Sequence, residues 1–162
     1  MIVVVTGDTH IGPRRRGPLP AELLNACAEA DQILHTGDAT ELGLLVELAA
    51  LAPLDAVTGN CDGFDILDRY GESRTLELAG VPLAMIHDGT GEHGRRSRLM
   101  ARFPGCRVVI FGHSHAPVCD DREGVLLVNP GSPTDRRRAP RPSYGVLELA
   151  AGEIVQARVI EL

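Results

Sequence analysis

The sequence predicts an α/β fold in which two mixed β-sheets pack face to face with helices on their outer sides, a four-layer α/β/β/α sandwich. In the first half of the 162 residues, short apolar segments rich in β-branched residues alternate with helical segments, as in parallel strands joined by helices. Several of these segments end in a glycine followed by polar residues, as buried strands do where they enter loops. The last third contains two hairpins, and their antiparallel strands indicate a second sheet.

The predicted elements cover most of the chain. Strands are expected at residues 2–6, 32–36 and 54–58, with helices at 19–30 and 41–50 between them. A short helix at 64–70 and strands at 75–78, 82–86 and 107–111 come next, with a further helix at 93–103. The hairpins cover 117–128, with a turn at 121–124, and 143–160, with a turn at 151–153. No repeat or linker interrupts this order, so we expect one domain spanning residues 1–162.

Composition and charge exclude several classes of function. The formal net charge is −6, Trp is absent and aromatic residues make up 3% of the chain, so a long nucleic acid is not an expected partner. No apolar segment approaches the ~20 residues that a membrane helix needs, and the first residues lack the features of a signal peptide. The four cysteines have no Cys-x-x-Cys spacing, which argues against a disulfide framework and a thiolate zinc site. We therefore expect a cytoplasmic protein without a membrane partner.

Ligand-type side chains follow five of the predicted strands. Because the carboxyl ends of parallel strands gather at one edge of a sheet, we expect these five loops to converge in space. Side chains two apart in an extended chain point to the same side, so Asp8 with His10, and His113 with His115, can address a common point. The preceding glycines let the backbone turn sharply and approach that point closely. The predicted metal ligands are Asp8, His10, Asp38, Asn60, His87, His113 and His115.

The chemistry of these side chains indicates a centre of two metal ions. Carboxylate, imidazole and amide oxygen suit divalent ions such as Mn²⁺, Ni²⁺, Fe²⁺ and Zn²⁺. Seven groups are too many for one tetrahedral ion, whereas two ions that share a carboxylate would use them all. Capping and turn chemistry also favour Asp and Asn at the ends of elements, but they explain a single residue and not the ordered set. The sequence therefore predicts two divalent ions, with Mn²⁺ favoured.

The order of the motifs resembles that of the calcineurin-like metallophosphoesterases, with Asp-x-His, Gly-Asp, Gly-Asn, His and Gly-His-x-His between residues 8 and 115. The small size and the Gly-Asn-Cys-Asp variant at 59–62 are similar in particular to the small bacterial and archaeal phosphodiesterases. The resemblance implies that one ion is bound by Asp8, His10 and His115. It implies that the second ion is bound by Asn60, His87 and His113, with Asp38 bridging the two.

The same resemblance implies a phosphoesterase that prefers small phosphodiesters to monoesters. In this hypothesis, a hydroxide that bridges the two ions attacks phosphorus in line with the leaving alcohol. Larger members of the family have a histidine after the metal-binding Asn, and here Cys61 occupies that position. A thiol with an ordinary pKa of ~8.5 can donate a proton but cannot supply the positive charge of an imidazolium. The predicted catalytic residues are Asp38, Asn60, Cys61 and His113.

Two other classes of protein share some of these features. The retromer sorting complex contains a subunit that is similar to this subfamily and serves as a scaffold, so a metal-binding interaction scaffold with little or no catalysis is the alternative. An amidohydrolase barrel also uses a His-x-His pair, but its pair would lie near the first strand and that barrel has ~250 residues. Similar proteins often self-associate, and the sequence leaves both a homo-oligomer and the identity of the native metal open.

Several other polar residues carry weaker signals. Arg14 to Arg16 and Arg136 to Arg138 are interpreted as solvated loop charges, with guidance of an anionic substrate toward the metals as the alternative. His35 lies within a predicted strand, which leaves core packing and a hydrogen bond to a ligand equally open. Asp62 is expected to cap the following short helix and to face solvent.

Overall fold

Ten strands and four helices form the described part of the chain, residues 1–12, 17–89 and 91–162 of a computed structural model. Within this part, no helix has the length and the hydropathy that crossing a membrane would require. The strands are β1 (Ile2–Thr6), β2 (Gln32–His35), β3 (Leu54–Ala56), β4 (Ser73–Leu78), β5 (Val81–Asp88), β6 (Val108–Gly112), β7 (Val118–Arg122), β8 (Val125–Asn129), β9 (Ser143–Ala150) and β10 (Glu153–Glu161). The helices are α1 (Ala21–Ala28), α2 (Leu42–Ala49), α3 (Phe64–Tyr70) and α4 (Arg95–Arg102).

The strands form two mixed sheets of five strands each. The first sheet has the order β10-β9-β1-β2-β3, in which β1, β2 and β3 run parallel and β9 pairs antiparallel with both β1 and β10. The second has the order β4-β5-β6-β8-β7, with β5, β6 and β8 parallel and the two edge strands antiparallel to them. The two predicted hairpins therefore join different sheets.

Three buried apolar clusters arrange the sheets and helices in four layers. Val3 and Val5 of β1 belong to the cluster between the two sheets, whereas Val4 belongs to the cluster beneath α1 and α2. This alternation across two buried faces explains why the strand is apolar at every position. Leu99 of α4 packs in a third cluster on the outer face of the second sheet. The predicted α/β/β/α sandwich is confirmed.

The hairpin turns are short and use the left-handed backbone region. Glu123–Gly124 and Ala151–Gly152 have positive φ at both residues, as a two-residue type I′ turn requires, and both lie within the predicted turn regions. A third hairpin joins β4 to β5 through Ala79–Gly80 in the same conformation. The sequence predicted these two strands but not their pairing.

Several element boundaries differ from the prediction by one or two residues, and two of these differences have a physical reason. Helix α1 begins at Ala21 and not at residue 19, because a residue that precedes a proline avoids the helical region and Pro20 follows residue 19. Strand β5 runs two residues beyond its predicted end, so His87 lies within the strand and not in the following loop. The pairing of β5 with β6 shifts by one residue between Met85 and Asp88. A bulge of this kind redirects side chains at the end of a strand.

Candidate metal centre

Side chains from the ends of β1, β2, β5 and β6 meet at one edge of the sandwich. The Nε2 atoms of His10 and His115 are 3.1 Å apart, and His115 Nε2 lies 3.4 Å from Asp8 Oδ1. Asp38 Oδ2 lies 3.6 Å from His10 Nε2 and 3.4 Å from His87 Nε2. Five of the predicted ligand side chains are therefore neighbours, although they are up to 107 residues apart, between positions 8 and 115, in the sequence.

The other two predicted ligands, Asn60 and His113, lie on the exposed side of this cluster. Asn60 Oδ1 accepts hydrogen bonds from His87 Nε2 at 3.1 Å and from His113 Nδ1 at 2.8 Å. The rings of His87 and His113 pack edge to face, with their centroids 5.3 Å apart. All seven side chains thus belong to one continuous set of contacts, which we call the ligand cluster.

Among the described residues, three groups of side chains in this region bring ligand atoms close enough for a single ion. In each group, the ligand atoms lie within 4.8 Å of one another. Because the groups share members, the arrangement can hold neighbouring ions. The groups are Asp8, His10 and His115; Asp8, Asp38 and His87; and His10, Asp38 and Cys61.

Five residues of the ligand cluster have a left-handed backbone, not an extended one. Asp8, His10 and Asp38 have φ values of 51°, 47° and 56°, and His113 and His115 have 67° and 56°. This region costs a residue with a side chain about 1–2 kcal/mol, so the surrounding structure must hold it in place. The expectation that residues two apart share one side of an extended chain was wrong here. Strain of this kind concentrates at functional sites.

Glycines give the loops the close approach that the sequence predicted. A Cβ atom on Gly7 would lie 1.8 Å from Thr36 Oγ1, and one on Gly112 would lie 2.7 Å from the same oxygen. A Cβ atom on Gly59 would lie 2.1 Å from Asp38 Oδ1. These separations are far below van der Waals contact, so larger residues would push the loops of the cluster apart.

The surroundings of Asp8 fit a metal ion. Its side chain is fully buried, and within the described residues neither carboxylate oxygen has a hydrogen-bond partner of normal geometry. Burial raises the pKa of Asp8 to about 7, although the positive charge of His87 and the nearby amide of His113 act in the opposite direction. A buried carboxylate without a partner is costly, and a divalent cation beside its oxygens would remove that cost.

Hydrogen bonds and burial prepare two imidazole rings for metal binding. His115 Nδ1 donates to the carbonyl of Asp135, so the Nε2 lone pair faces His10 and Asp8. Burial lowers the pKa of His115 to about 4 and also lowers the pKa of His10. Both rings are therefore neutral near neutral pH, which is the form in which imidazole binds metals.

Asp38 and His87 form a charged pair in the middle of the ligand cluster. Burial favours the neutral form of Asp38, but its contact with His87 and the hydrogen bond from the Cys61 amide at 2.7 Å outweigh burial and lower its pKa. Burial likewise opposes the charge on His87, and the contact with Asp38 outweighs it and raises the pKa of the ring. A metal ion between these groups would replace the His87 proton as the positive partner of Asp38.

Asp62 joins two loops of the site and does not cap α3. Its carboxylate accepts hydrogen bonds from the backbone amides of Asp38 at 2.9 Å, Thr40 at 2.7 Å and Gly59 at 2.7 Å. Helix α3 follows Gly63 and has no side-chain cap. The expected capping role was wrong, because amides of the loops after β2 and β3 point at this half-buried carboxylate.

The loop after β8 supports the loop that carries Asp8. Ser132 Oγ donates to the carbonyl of Asp8 at 2.7 Å and accepts from the amide of Asp135 at 2.8 Å. Thr134 Oγ1 donates to the carbonyl of Thr9 at 2.6 Å. Sequence analysis missed these contacts because no local spacing relates residues 8 and 132. The polar stretch directly after a buried strand was the available signal.

His35 is buried and hydrogen-bonds to the loops that carry the ligands. Its Nδ1 accepts from the amide of Gly37 at 3.2 Å, so its Nε2 donates to Thr9 Oγ1 at 3.2 Å. Thr9 Oγ1 lies 3.5 Å from the carbonyl of Asp38, to which it donates. Burial lowers the pKa of His35 to about 3, consistent with a neutral ring. His35 therefore supports the backbone of the site and is not a member of the ligand cluster.

One arginine of the predicted loops lies beside the site. Arg137 is exposed and donates to the carbonyl of His113 at 3.0 Å. Arg136 donates to the carbonyl of Ala139 within its own loop, at 2.7 Å. The segment from Arg14 to Arg16 lies outside the described residues. A role of Arg137 in guiding anions stays a prediction.

The fold and the ligand cluster together define a protein of the metallophosphoesterase class. The family model of the calcineurin-like phosphoesterase superfamily domain matches residues 1–152. The chain belongs to this superfamily, as the order of its motifs indicated.

Similar proteins occur in archaea, bacteria and eukaryotes. A probable metallophosphoesterase from Methanothermobacter thermautotrophicus is 36% identical, over 99% of this chain and 92% of its own length. A Thermotoga maritima protein with an NMR structure is 31% identical, with a TM-score of 0.77 and 99% of each chain covered. Vps29 from Entamoeba histolytica in complex with Zn²⁺ has a TM-score of 0.80 over 100% of this chain and 98% of that chain. Its identity is 20%, so this last likeness is one of fold alone.

Proposed function

We propose that this chain is a phosphodiesterase that uses two divalent metal ions to hydrolyse small phosphodiesters. The observation that carries the proposal is the buried carboxylate of Asp8. Within the described residues its oxygens have no hydrogen-bond partner, and it lies among the imidazoles of His10, His87 and His115. Membership of the calcineurin-like superfamily supports a phosphoesterase that requires divalent metals. The number of ions is our inference from the residues around Asp8, and the diester preference is our inference from two adjoining cavities.

The contacts divide the donors into two sets, and we assign one ion to each. The first set is formed by Asp8, His10 and His115, and the second by Asn60, His87 and His113. The members of the first set lie within 4.8 Å of one another, and those of the second set meet at the Asn60 side-chain oxygen. Asp38 contacts both sets, through His10 and through His87, which supports a shared ligand. The carboxylate and amide oxygens suit Mn²⁺ and the imidazoles suit Fe²⁺, Ni²⁺ and Zn²⁺ as well; we propose Mn²⁺ as the ion to test first.

The exposed side of the cluster carries the groups that a substrate would meet. Bound ions would supply Lewis acidity toward phosphoryl oxygens and a nucleophilic water near neutral pH. Cys61 Sγ accepts a hydrogen bond from Asn60 Nδ2 at 3.3 Å. Burial and the negative charges of Asp38 and Asp62 raise the pKa of Cys61, so the thiol keeps its proton and can donate it to a leaving alkoxide.

Two cavities at the exposed side of the cluster support a diester. The larger, of about 640 Å³, lies between α3 and β5, and the smaller, of about 360 Å³, is lined by Arg95 and Phe111. Asp88 and His113 line both cavities, so the two adjoin at the ligand cluster. A phosphodiester carries two ester groups and a monoester carries one. Two cavities beside one phosphate site therefore favour the diester.

The alternative function is a metal-binding interaction scaffold of the same fold. The likeness to Vps29 is the observation behind this alternative, and at 20% identity it concerns the fold alone. The two adjoining cavities at the ligand cluster favour the enzyme, because a scaffold that binds metal would need the donors but not the cavities.

The test is hydrolysis of bis(4-nitrophenyl) phosphate and of 4-nitrophenyl phosphate by metal-free protein resupplied with Mn²⁺, Ni²⁺ or Zn²⁺. We expect turnover that requires metal, that is faster for the diester and that is lost in Asp38→Ala. Asp121→Ala, which removes an exposed carboxylate at β7, is the matched control. A preference for the monoester would overturn the substrate class. Bound metal without turnover of either ester would favour the scaffold.

A further inference from the structure

The larger cavity beside the ligand cluster has a wall of apolar side chains. Phe64, the first residue of α3, is 79% exposed and is the most exposed large hydrophobic residue in the described part of the chain. Leu67, also on α3, and Ile86 of β5 line the same cavity. The two other phenylalanines, Phe103 and Phe111, are buried in the core beneath α4. Phe64 is therefore not used by the core. Covering its ring with an apolar group lowers the free energy, because apolar surface is removed from water.

This cavity is continuous with the ligand cluster. Asn60, His87 and His113 line it as well as belonging to the cluster. A phosphate at the cluster would therefore have one of its ester groups at the mouth of the cavity. Its volume of about 640 Å³ is in the range of small-molecule sites and leaves room for a ring system.

Charged side chains line the polar part of the cavity. The charged residues of its lining are Asp62, Glu72, Asp88 and Arg102. Three acidic residues against one arginine disfavour an ester group that carries a further negative charge. The carboxylate oxygens of Glu72, which is exposed, can accept hydrogen bonds from hydroxyl or amino groups on a ring.

We infer that this cavity binds an uncharged aromatic ester group of the phosphodiester, an aryl or nucleoside group with hydrogen-bond donors on its ring. The inference rests on the proposed function, because it takes the phosphate to lie at the ligand cluster. Phe64 is a specificity-determining residue on this account, since its ring covers one face of the bound aromatic group. A base or aryl ring stacked on a single aromatic side chain strengthens binding by about 5- to 150-fold.

Binding of two phosphinates tests the cavity without any chemical step. Methylphenylphosphinate and dimethylphosphinate are monoanions that resemble diesters, and their P–C bonds resist hydrolysis. Isothermal titration of the Mn²⁺-loaded protein should give about tenfold tighter binding of the phenyl compound. We expect Phe64→Ala to lose most of this preference and Phe64→Leu to retain part of it. Val155→Ala, which truncates a 57% exposed side chain on β10, should keep the full preference.

The charge of the ring gives a second arm of the same experiment. We expect a 4-carboxyphenyl analogue to bind no more tightly than dimethylphosphinate, because Glu72 and Asp88 oppose its added charge. Tighter binding of the carboxylated ring would overturn the charge preference. Stabilisation of Phe64→Ala by Mn²⁺ to the same degree as the wild type would show that its ligand cluster is intact.

The outcomes separate this inference from the proposed function. Equal binding of the two phosphinates by the wild type, or an unchanged preference in Phe64→Ala, would overturn the assignment of the cavity. If diesters were hydrolysed in that case, the proposed phosphodiesterase function would stand and only the assignment of the cavity would be lost. A phenyl preference that depends on Phe64, without turnover of any ester, would support the cavity and overturn the hydrolytic function.

Discussion

Replacement of Asp8 by Asn isolates the cost of burying a carboxylate without a partner. Burial raises the pKa of Asp8 from its ordinary value of 3.8 to about 7. The folded protein therefore binds this proton more tightly than the unfolded chain does. Stability that is fully present below the unfolded pKa of 3.8 is lost as the pH rises through the folded pKa of about 7.

The size of this effect follows from the shift in pKa. Roughly three pKa units at about 1.4 kcal/mol per unit amount to about 4 kcal/mol in total. About 2.5 kcal/mol of this total accrues between about pH 5 and about pH 8. Asn does not titrate, so the metal-free Asp8→Asn protein lacks this loss. Its buried amide instead lowers stability by about 1–3 kcal/mol at every pH.

Urea unfolding of the metal-free proteins across this pH range measures the difference. The free energy of unfolding of the wild type, relative to Asp8→Asn, should fall by about 2.5 kcal/mol from about pH 5 to about pH 8. Mn²⁺ should restore the free energy of unfolding that the wild type loses toward pH 8, and it should leave the free energy of unfolding of Asp8→Asn nearly unchanged. Asp68→Asn, which neutralises an exposed carboxylate on α3, controls for net charge. Parallel pH profiles for wild type and Asp8→Asn would refute the reasoning that Asp8 is ionised at a cost to stability.

Substitutions at Gly7, Asp62 and Cys61 test other parts of the site. Gly7→Ala should lower the free energy of unfolding by about 3 kcal/mol, because the new methyl group overlaps a buried hydroxyl. Gly43→Ala, in an open position on α2, should raise it by about 0.5–1 kcal/mol, and equal effects in urea unfolding would contradict the steric argument. Asp62→Ala should lower the free energy of unfolding by about 2–3 kcal/mol, because three backbone amides lose their acceptor. The same substitution should weaken Mn²⁺ binding in calorimetry. An unchanged midpoint of urea unfolding would exclude this role of Asp62. Cys61→His should raise kcat for an alkyl diester about tenfold or more, since an imidazolium adds positive charge near the leaving group. No gain over Cys61→Ser would argue against that role.

The sequence predicted the architecture well because the strands carry strong local signals. Val3, Val4 and Val5 are buried on both faces of the first sheet, and a strand of this kind is apolar throughout. The glycines after β1 and β2 marked the loops that carry Asp8 and Asp38. The neighbourhood of the seven ligand-type side chains could be predicted for the same reason, since parallel strands in one sheet end at one edge.

Other features depend on contacts that no local pattern encodes. The left-handed conformations of Asp8 and His10 are held by the surrounding loops and contradict the preference of residues with side chains. Strand β5 extends through His87 because its pairing with β6 continues past a bulge. The position of Asp62 beneath two loops reflects amides that are distant in sequence. The membership of each hairpin in its sheet likewise follows from long-range packing.

The most direct test of the central claim is a titration of metal-free protein with Mn²⁺, in which hydrolysis of bis(4-nitrophenyl) phosphate is followed against equivalents of metal. Binding of two ions at neighbouring sets of donors predicts that activity rises to a plateau at two equivalents per chain. Asp38→Ala, which removes the carboxylate between the two sets, should show no such plateau. A plateau at one equivalent, or full activity without metal, would contradict the account.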